Sequence, residues 1–224
     1  MANKLRVILT GATGMVGEGV LHECLSRTEI EAVLVINRRP CEVSHPKLRE
    51  IIHSDFFDLS AIEKQLNGYN TCFFCLGVSA VGMDEAEYLR LTYILTLGFA
   101  KTLARLTPEM NFFYISGGGT DSSEKGRMMW ARVKGKTEND LMKLPFHSVY
   151  AFRPGYMHPT PGLKNTLPYY TYITWLYPVL RRLTPRYVST LAELGQAMIY
   201  CALHGYEKKI VEVKDIHILA REGK

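Results

Sequence analysis

The chain contains no run of about 18 consecutive apolar residues, so it holds no segment of the kind that spans a membrane as a helix. It has no long basic run either. Arg38-Arg39, Arg181-Arg182 and Lys208-Lys209 are short clusters, and a nucleic-acid-binding arm is not expected. Hydrolysis by a Ser–His–Asp set is unsupported, because no GxSxG nucleophile elbow occurs. Cysteines number only five, an odd count, and no secretory signal accompanies them, since Lys4 and Arg6 lie beside a short core strand. Reduced, buried thiols in a cytoplasmic protein are the expectation. Cys72 and Cys75 stand three apart in an apolar β-type run, where their side chains point to opposite faces. Neither a redox pair nor a metal pinch is expected there, and no metal site is read elsewhere.

What is present is the composition of a soluble globular enzyme or binding protein: 224 residues, 47% hydrophobic, 22% charged, with a net charge of +5. One domain over residues 1–224, with a sizeable core, is the simplest organisation. Strand-like runs recur at Leu5–Leu9, Ala32–Ile36, Glu50–His53, Thr71–Leu76, Asn111–Ile115, Ser148–Phe152 and Ile210–Val213. Helical intervals fall between them at Met15–Arg27, Leu59–Leu66, Met83–Leu106, Glu124–Leu144 and Thr190–Leu203. Such alternation predicts an α/β fold of the Rossmann type, a doubly wound parallel sheet of about seven strands with helices on both faces. The near-continuous apolar runs Val33–Ile36 and Cys72–Leu76 suit strands buried on both sides.

Directly after the first strand the chain reads Thr10-Gly11-Ala12-Thr13-Gly14-Met15-Val16-Gly17. A dinucleotide needs this spacing: Gly11 for the turn, Gly14 for close approach of the pyrophosphate, Gly17 for packing of helix against strand. The free N–H groups and positive dipole of the helix beginning at Met15 and Val16 then face the anion, with Thr13 in the turn. At the end of the second strand stand Asn37, Arg38 and Arg39, with no carboxylate before Glu42. A carboxylate there accepts the ribose 2′-hydroxyl of NAD and repels the 2′-phosphate of NADP, whereas guanidinium grips that phosphate in a fork. NADP is therefore favoured over NAD. After the third strand, Asp55 either accepts from the adenine amino group, with Phe56 packed on the ring, or serves as a turn or cap. Leu76-Gly77 lets the fourth strand end pass beside the cofactor.

These motifs, together with Ser116 at a strand end, Lys134 in a helix and Arg153-Pro154-Gly155, resemble the short-chain dehydrogenase/reductase superfamily in its extended or atypical branch. The chain looks closest to the NAD-dependent epimerase/dehydratase-like and NmrA-like NAD(P)-binding proteins. The resemblance covers nearly the whole chain and implies a nucleotide lying over the C-terminal ends of a seven-stranded sheet, with Pro154 and Gly155 beside it. It also implies a Tyr-x-x-x-Lys pair on the helix after the fifth strand. Here that helix carries Trp130 four residues before Lys134. Indole offers a donor but no usable acidic proton, so the acid is missing while Lys134 can still hold the cofactor's ribose. The helix at Met83–Leu106 also lacks the Asn that related dehydrogenases use in a proton relay. Ser116 can polarise a substrate carbonyl or simply turn the chain, with Asp121 or Ser122 capping the next helix. Tyr156 can supply a proton or pack beneath a lid.

Residues 156–186 are less regular and read as a small C-terminal substrate lobe, a lid or an interface inserted in the domain. Its aromatic segment, 167–183, places Tyr169, Tyr172, Ile173, Leu176 and Leu180 on one helical face. That face can cover the reactive end of the cofactor, join two copies in a homo-oligomer, or touch a membrane surface peripherally. Two functions follow: an NADP(H)-dependent oxidoreductase or epimerase acting on a small carbonyl compound, or a nucleotide-binding regulator or scaffold without turnover.

Overall fold

Leucine, valine, isoleucine and phenylalanine at consecutive positions build the centre of this protein, because its strands are covered on both faces. The computed structural model describes residues 4–165 and 175–223. Strands β1 (Leu5–Thr10), β2 (Ile30–Asn37), β3 (Leu48–Ile52), β4 (Thr71–Phe74), β5 (Asn111–Ile115), β6 (Ser148–Arg153) and β9 (Ile210–Glu212) form one seven-stranded sheet. Its order is β3-β2-β1-β4-β5-β6-β9 and every pairing is parallel. Alternate residues feed two separate cores. Val7, Leu9, Val33, Val35, Phe73 and Phe113 face one. Ile8, Leu34, Ile36, Cys72, Phe74 and Phe112 face the other. Cys72 belongs to the second core and Cys75 packs against the first, the opposite placement that a spacing of three dictates.

Helix α1 (Met15–Ser26) follows β1. Helices α2 (Glu85–Leu89) and α3 (Leu95–Leu106) are joined through one wide π turn at Arg90–Ile94. Helix α4 (Met129–Leu141) follows β5, and α6 (Leu191–His204) and α7 (Val213–Glu222) flank β9. Between β6 and α6 lies the small lobe: β7 (Tyr156–His158) paired in parallel with β8 (Val188–Thr190), and helix α5 (Tyr177–Leu183). Helices α1 and α6 meet glycine to side chain. A Cβ on Gly19 would lie 2.9 Å from Leu191 Cβ, and one on Gly195 would lie 2.6 Å from Glu23 Cγ.

Several helix expectations need correction. Leu59–Leu66 is no helix but a set of turns with a single 3-10 turn at Glu63–Gln65, although Leu59, Ile62 and Leu66 are buried as an amphipathic helix would bury them. Helix α4 begins at Met129 rather than Glu124, because the Asp121 carboxylate gathers the N–H groups of Ser123, Lys125 and Gly126 and Glu124 takes a left-handed φ of 61°. Neither Asp121 nor Ser122 caps that helix; its N-cap is Met128, without a side-chain hydrogen bond. Of the aromatic segment, Tyr169, Tyr170, Tyr172 and Ile173 lie outside the described residues. Within the described part, Trp175, Val179 and Leu183 are exposed, and Tyr177 stacks on His158 with ring centroids 3.9 Å apart. No helix among the described residues is long and apolar enough to cross a membrane.

Candidate dinucleotide site

The glycine turn shows three different reasons for glycine. Gly11 has φ 76°, and a Cβ there would stand 2.8 Å from the carbonyl oxygen of Cys75. A Cβ on Gly17 would reach 2.1 Å from the Gly11 carbonyl oxygen, so helix and strand could not close. A Cβ on Gly14 would have only the Gly11 oxygen nearby, at an ordinary 3.5 Å. The protein's own packing does not require a glycine at 14, and the turn is left open there. Gly14 is also the N-cap of α1 and gives it no side-chain cap, which leaves the first N–H groups of Met15 and its neighbours for an anion. The cradle therefore fits a pyrophosphate. Met15 itself is buried against Leu191, while Val16 packs against both clusters around it.

A cavity of about 570 Å³ runs from this turn along the sheet edge, lined by Gly11, Thr13, Gly14, Arg38, Arg39 and Leu76. It shares Arg38, Leu76 and Gly77 with a second cavity of about 310 Å³ that Asp55, Phe56 and Arg90 also line. Arg38, Arg39, Asp55, Leu76 and Gly77 are thus brought together. Phe56 is buried and stacks on Phe99, with centroids 6.1 Å apart, while Asp55 Oδ1 accepts from the Phe57 N–H at 2.9 Å. Arg90, unread in the sequence, holds its guanidinium 4.7 Å above the Phe57 ring.

Asn37 is buried and faces its neighbour strand. Its Nδ2 donates to Glu50 Oε1 at 3.0 Å, and the Cys41 N–H donates to the same oxygen at 2.9 Å. One carboxylate on β3 therefore sets the Arg38–Cys41 turn. Glu50 could not be found by reading along the chain, because the register Val35↔Glu50 brings it in from another strand.

At the ends of β5 and β6 the remaining candidates converge. Ser116 is buried, and its Oγ lies 2.9 Å from Thr120 Oγ1. Lys134 Nζ donates to the Ser116 carbonyl oxygen at 2.9 Å and sits 5.6 Å from the centre of the Tyr114 ring. Burial pushes Lys134 down to about 8, against the opposing pull of Glu138 one turn along α4. Trp130 reaches over the same loop: its Cη2 lies 3.5 Å from where a Gly119 Cβ would be. The Pro154 carbonyl oxygen accepts from the Gly118 N–H at 2.8 Å, tying the two strand ends together, and a Cβ on Gly155 would strike the Tyr187 carbonyl oxygen at 2.2 Å. Tyr156 packs against the Met15–Leu191 pair. Arg153 serves the fold: it grips fully buried Glu138 (Nε to Oε1 3.0 Å) and reaches Glu212 at 3.4 Å.

Residues 7–126 match the NAD dependent epimerase/dehydratase family. The chain belongs to that family. A 157-residue stretch, 67% of this chain and 64% of the relative, is 28% identical to "Protein FMP52, mitochondrial" of Meyerozyma guilliermondii. Another of 157 residues, 69% of this chain and 63% of the relative, is 27% identical to "Protein HTATIP2" of Rattus norvegicus. The chain thus spans less than two thirds of either relative's length. Among solved structures, the Bordetella bronchiseptica enzyme WbmF in complex with NAD+ superposes with a TM-score of 0.66 at 16% identity, over 99% of this chain and 78% of that one. ADP-L-glycero-D-manno-heptose-6-epimerase of Helicobacter pylori gives 0.67 at 14% identity, over 99% and 83%. The expected Rossmann fold and the extended short-chain dehydrogenase/reductase resemblance are borne out, and the fold is of the NAD(P)-binding epimerase/dehydratase type. The cytoplasmic assignment is overturned, since fungal relatives are named mitochondrial. Free thiols fit any reducing compartment, and so could not have told the two apart.

Proposed function

We propose that this protein binds NADP(H) along the C-terminal edge of its sheet and uses it in oxidoreductase chemistry on a small carbonyl compound. The observation that carries this reading is the Lys134 ammonium, fixed at the Ser116 carbonyl 2.9 Å away, on the same sheet edge as the glycine cradle. Gly11, Thr13, Gly14, Met15, Val16 and Gly17 would seat the pyrophosphate. Arg38 and Arg39 would grip the 2′-phosphate, and Asp55, Phe56, Leu76 and Gly77 would bound the adenine. Pro154 and Gly155 would border the nicotinamide end. When bound, the reduced nicotinamide supplies a hydride to the carbonyl carbon, and the carbonyl oxygen then takes up one proton. Ser116 Oγ would orient that oxygen and Lys134 would hold the ribose; Tyr156 or water would give the proton, because Trp130 cannot.

A second reading, a nucleotide-binding regulator or scaffold, is favoured by Trp130, whose ring edge lies beside Gly119 in the loop after β5 that a substrate would approach. Both readings include nucleotide binding, so turnover separates them. NADPH oxidation is measured against a panel of aldehydes and ketones, with Lys134→Ala as control. The enzyme reading expects turnover that drops in the variant. Turnover that persists unchanged in Lys134→Ala sinks the assigned site, and bound NADPH with no turnover on any carbonyl supports the regulator. For cofactor choice, Arg38→Ala should weaken NADPH more than NADH, and equal losses would show that the 2′-phosphate lies elsewhere.

A further inference from the structure

The dinucleotide groove has a side chamber. A cavity of about 280 Å³ shares Thr13 and Arg39 with it and is closed by Cys41, Glu42, Lys164 and Asn165. The last two come from the far side of the chain, on the segment that follows β7. Two hydrogen bonds hold that segment in place: the main-chain N–H groups of Lys164 and Asn165 donate to Glu18 Oε1 and Oε2 at 2.8 and 2.7 Å. Glu18 is buried in the first turn of α1, beside the cradle. A bare carboxylate there would repel a pyrophosphate, but this one is occupied on both oxygens by the strap it anchors. The strap in turn places the Lys164 ammonium 3.3 Å from Glu42, with both side chains largely exposed to water.

Resting on the NADP reading above, we propose that this side chamber is the subsite for the cofactor's 2′-phosphate, a phosphomonoester, and that Lys164 joins Arg39 there as a second cation, with Arg38 lining the adjoining groove. The chamber adjoins the groove at Thr13 and Arg39, the residue two past the end of β2. The chemistry matches a dianion: Arg39 offers a planar fork, Thr13 a hydroxyl, and Lys164 a compact point charge on a flexible stem. Lys164 exchanges Glu42 for the phosphate when the cofactor binds. An exposed Lys–Glu pair is a weak partner to give up, whereas a charge-assisted bond to phosphate is a strong one. Glu42 is then the opposing charge in the chamber, and Glu18 is the latch that brings Lys164 within reach. Lys164 is thereby a specificity-determining residue: it recognises the one group that distinguishes NADP from NAD.

The test measures NADPH and NADH dissociation constants by titration of the full chain, for the unaltered protein, Lys164→Met and Glu42→Gln, with Tm recorded for each. Lys164→Met should weaken NADPH about tenfold, the scale of one charge-assisted hydrogen bond, and leave NADH within about twofold. Glu42→Gln should tighten NADPH and leave NADH unchanged, and the gap between the cofactors should narrow as salt rises. Equal loss of both cofactors in Lys164→Met makes the strap merely structural and overturns the subsite. An unaltered chain that prefers NADPH, paired with a Lys164→Met variant of the same preference, overturns the role of Lys164 but leaves the Arg38–Arg39 reading standing. An unaltered chain with no preference overturns both.

Discussion

The side chain of Lys134 donates to the main chain of Ser116, Nζ to carbonyl oxygen at 2.9 Å, so a residue on α4 fixes the end of β5 through its charge. That charge is held where burial depresses its pKa to about 8, below the ordinary lysine value of 10.5. Between those values the unfolded chain keeps a proton that the folded chain has released, so this site's contribution to stability rises with pH. Below about 8 both states carry the proton, and the folded state bears the full cost of the buried charge. Lys134→Met removes that cost. Its Tm relative to the unaltered chain should be highest near neutral pH and decline as pH climbs from about 8 toward 10.5. A difference independent of pH across that window would show that Lys134 is not the titrating group.

Gly14 and Gly17 should separate ligand binding from folding. Gly14→Ala meets only an ordinary contact at 3.5 Å, so it should keep the unaltered Tm while losing dinucleotide affinity. Gly17→Ala drives a methyl to 2.1 Å from the Gly11 oxygen and should lower both. Calorimetry with and without NADPH distinguishes them, and a Gly14→Ala chain that binds NADPH normally would remove the pyrophosphate from this turn.

Arg153 and Glu138 form an ion pair in which the carboxylate is fully buried. Arg153→Ala strands that carboxylate, with an expected loss of about 3–5 kcal/mol in urea denaturation. Replacing the pair together, Arg153→Met with Glu138→Leu, should recover most of it, because neither charge is then left alone. Additive losses in the double variant would mean that the two side chains act independently.

Trp130→Tyr restores a phenol one helical turn before a retained Lys134. In a chain whose deficit is the proton donor, turnover of carbonyl substrates should rise by about a hundredfold, at the low end of general-acid effects. NADPH affinity should be nearly unchanged. A Trp130→Tyr variant that binds NADPH but reacts no faster would mean that position 130 does not address the reacting oxygen.

The parts of this molecule that were legible in the sequence are those whose signal is local. Val33–Ile36 and Cys72–Phe74 are apolar at every position because both sheet faces are covered, and the glycine turn carries its own spacing. The interval Leu59–Leu66 carries Leu59, Ile62 and Leu66 at helical spacing, and tight turns bury a spacing of three or four as well as an α-helix does. The three-residue strands β7 and β8 are specified by each other across an intervening segment, which no local window contains. Helix α7 does have a local signal, the Val213, Ile216 and Leu219 spacing behind a Glu212–Asp215 capping box, beside the strand-like run Ile210–Val213 that overlaps its start. In the site, Arg38 and Arg39 follow directly from the end of β2. Glu50 and Lys164 reach the same place from another strand and from a distant strap, so only the register and the fold reveal them.

The glycine contacts between α1 and α6 have a mechanical consequence. With Gly19 against Leu191 and Gly195 against Glu23, each of these two contacts has room for one side chain and not for two. Helix α1 carries the phosphate cradle at its first turn, and α6 begins at the residue after β8, the strand that pairs the lobe. Any side chain larger than hydrogen at Gly19 or Gly195 would therefore push apart the helix that carries the cradle and the helix that leads out of the lobe.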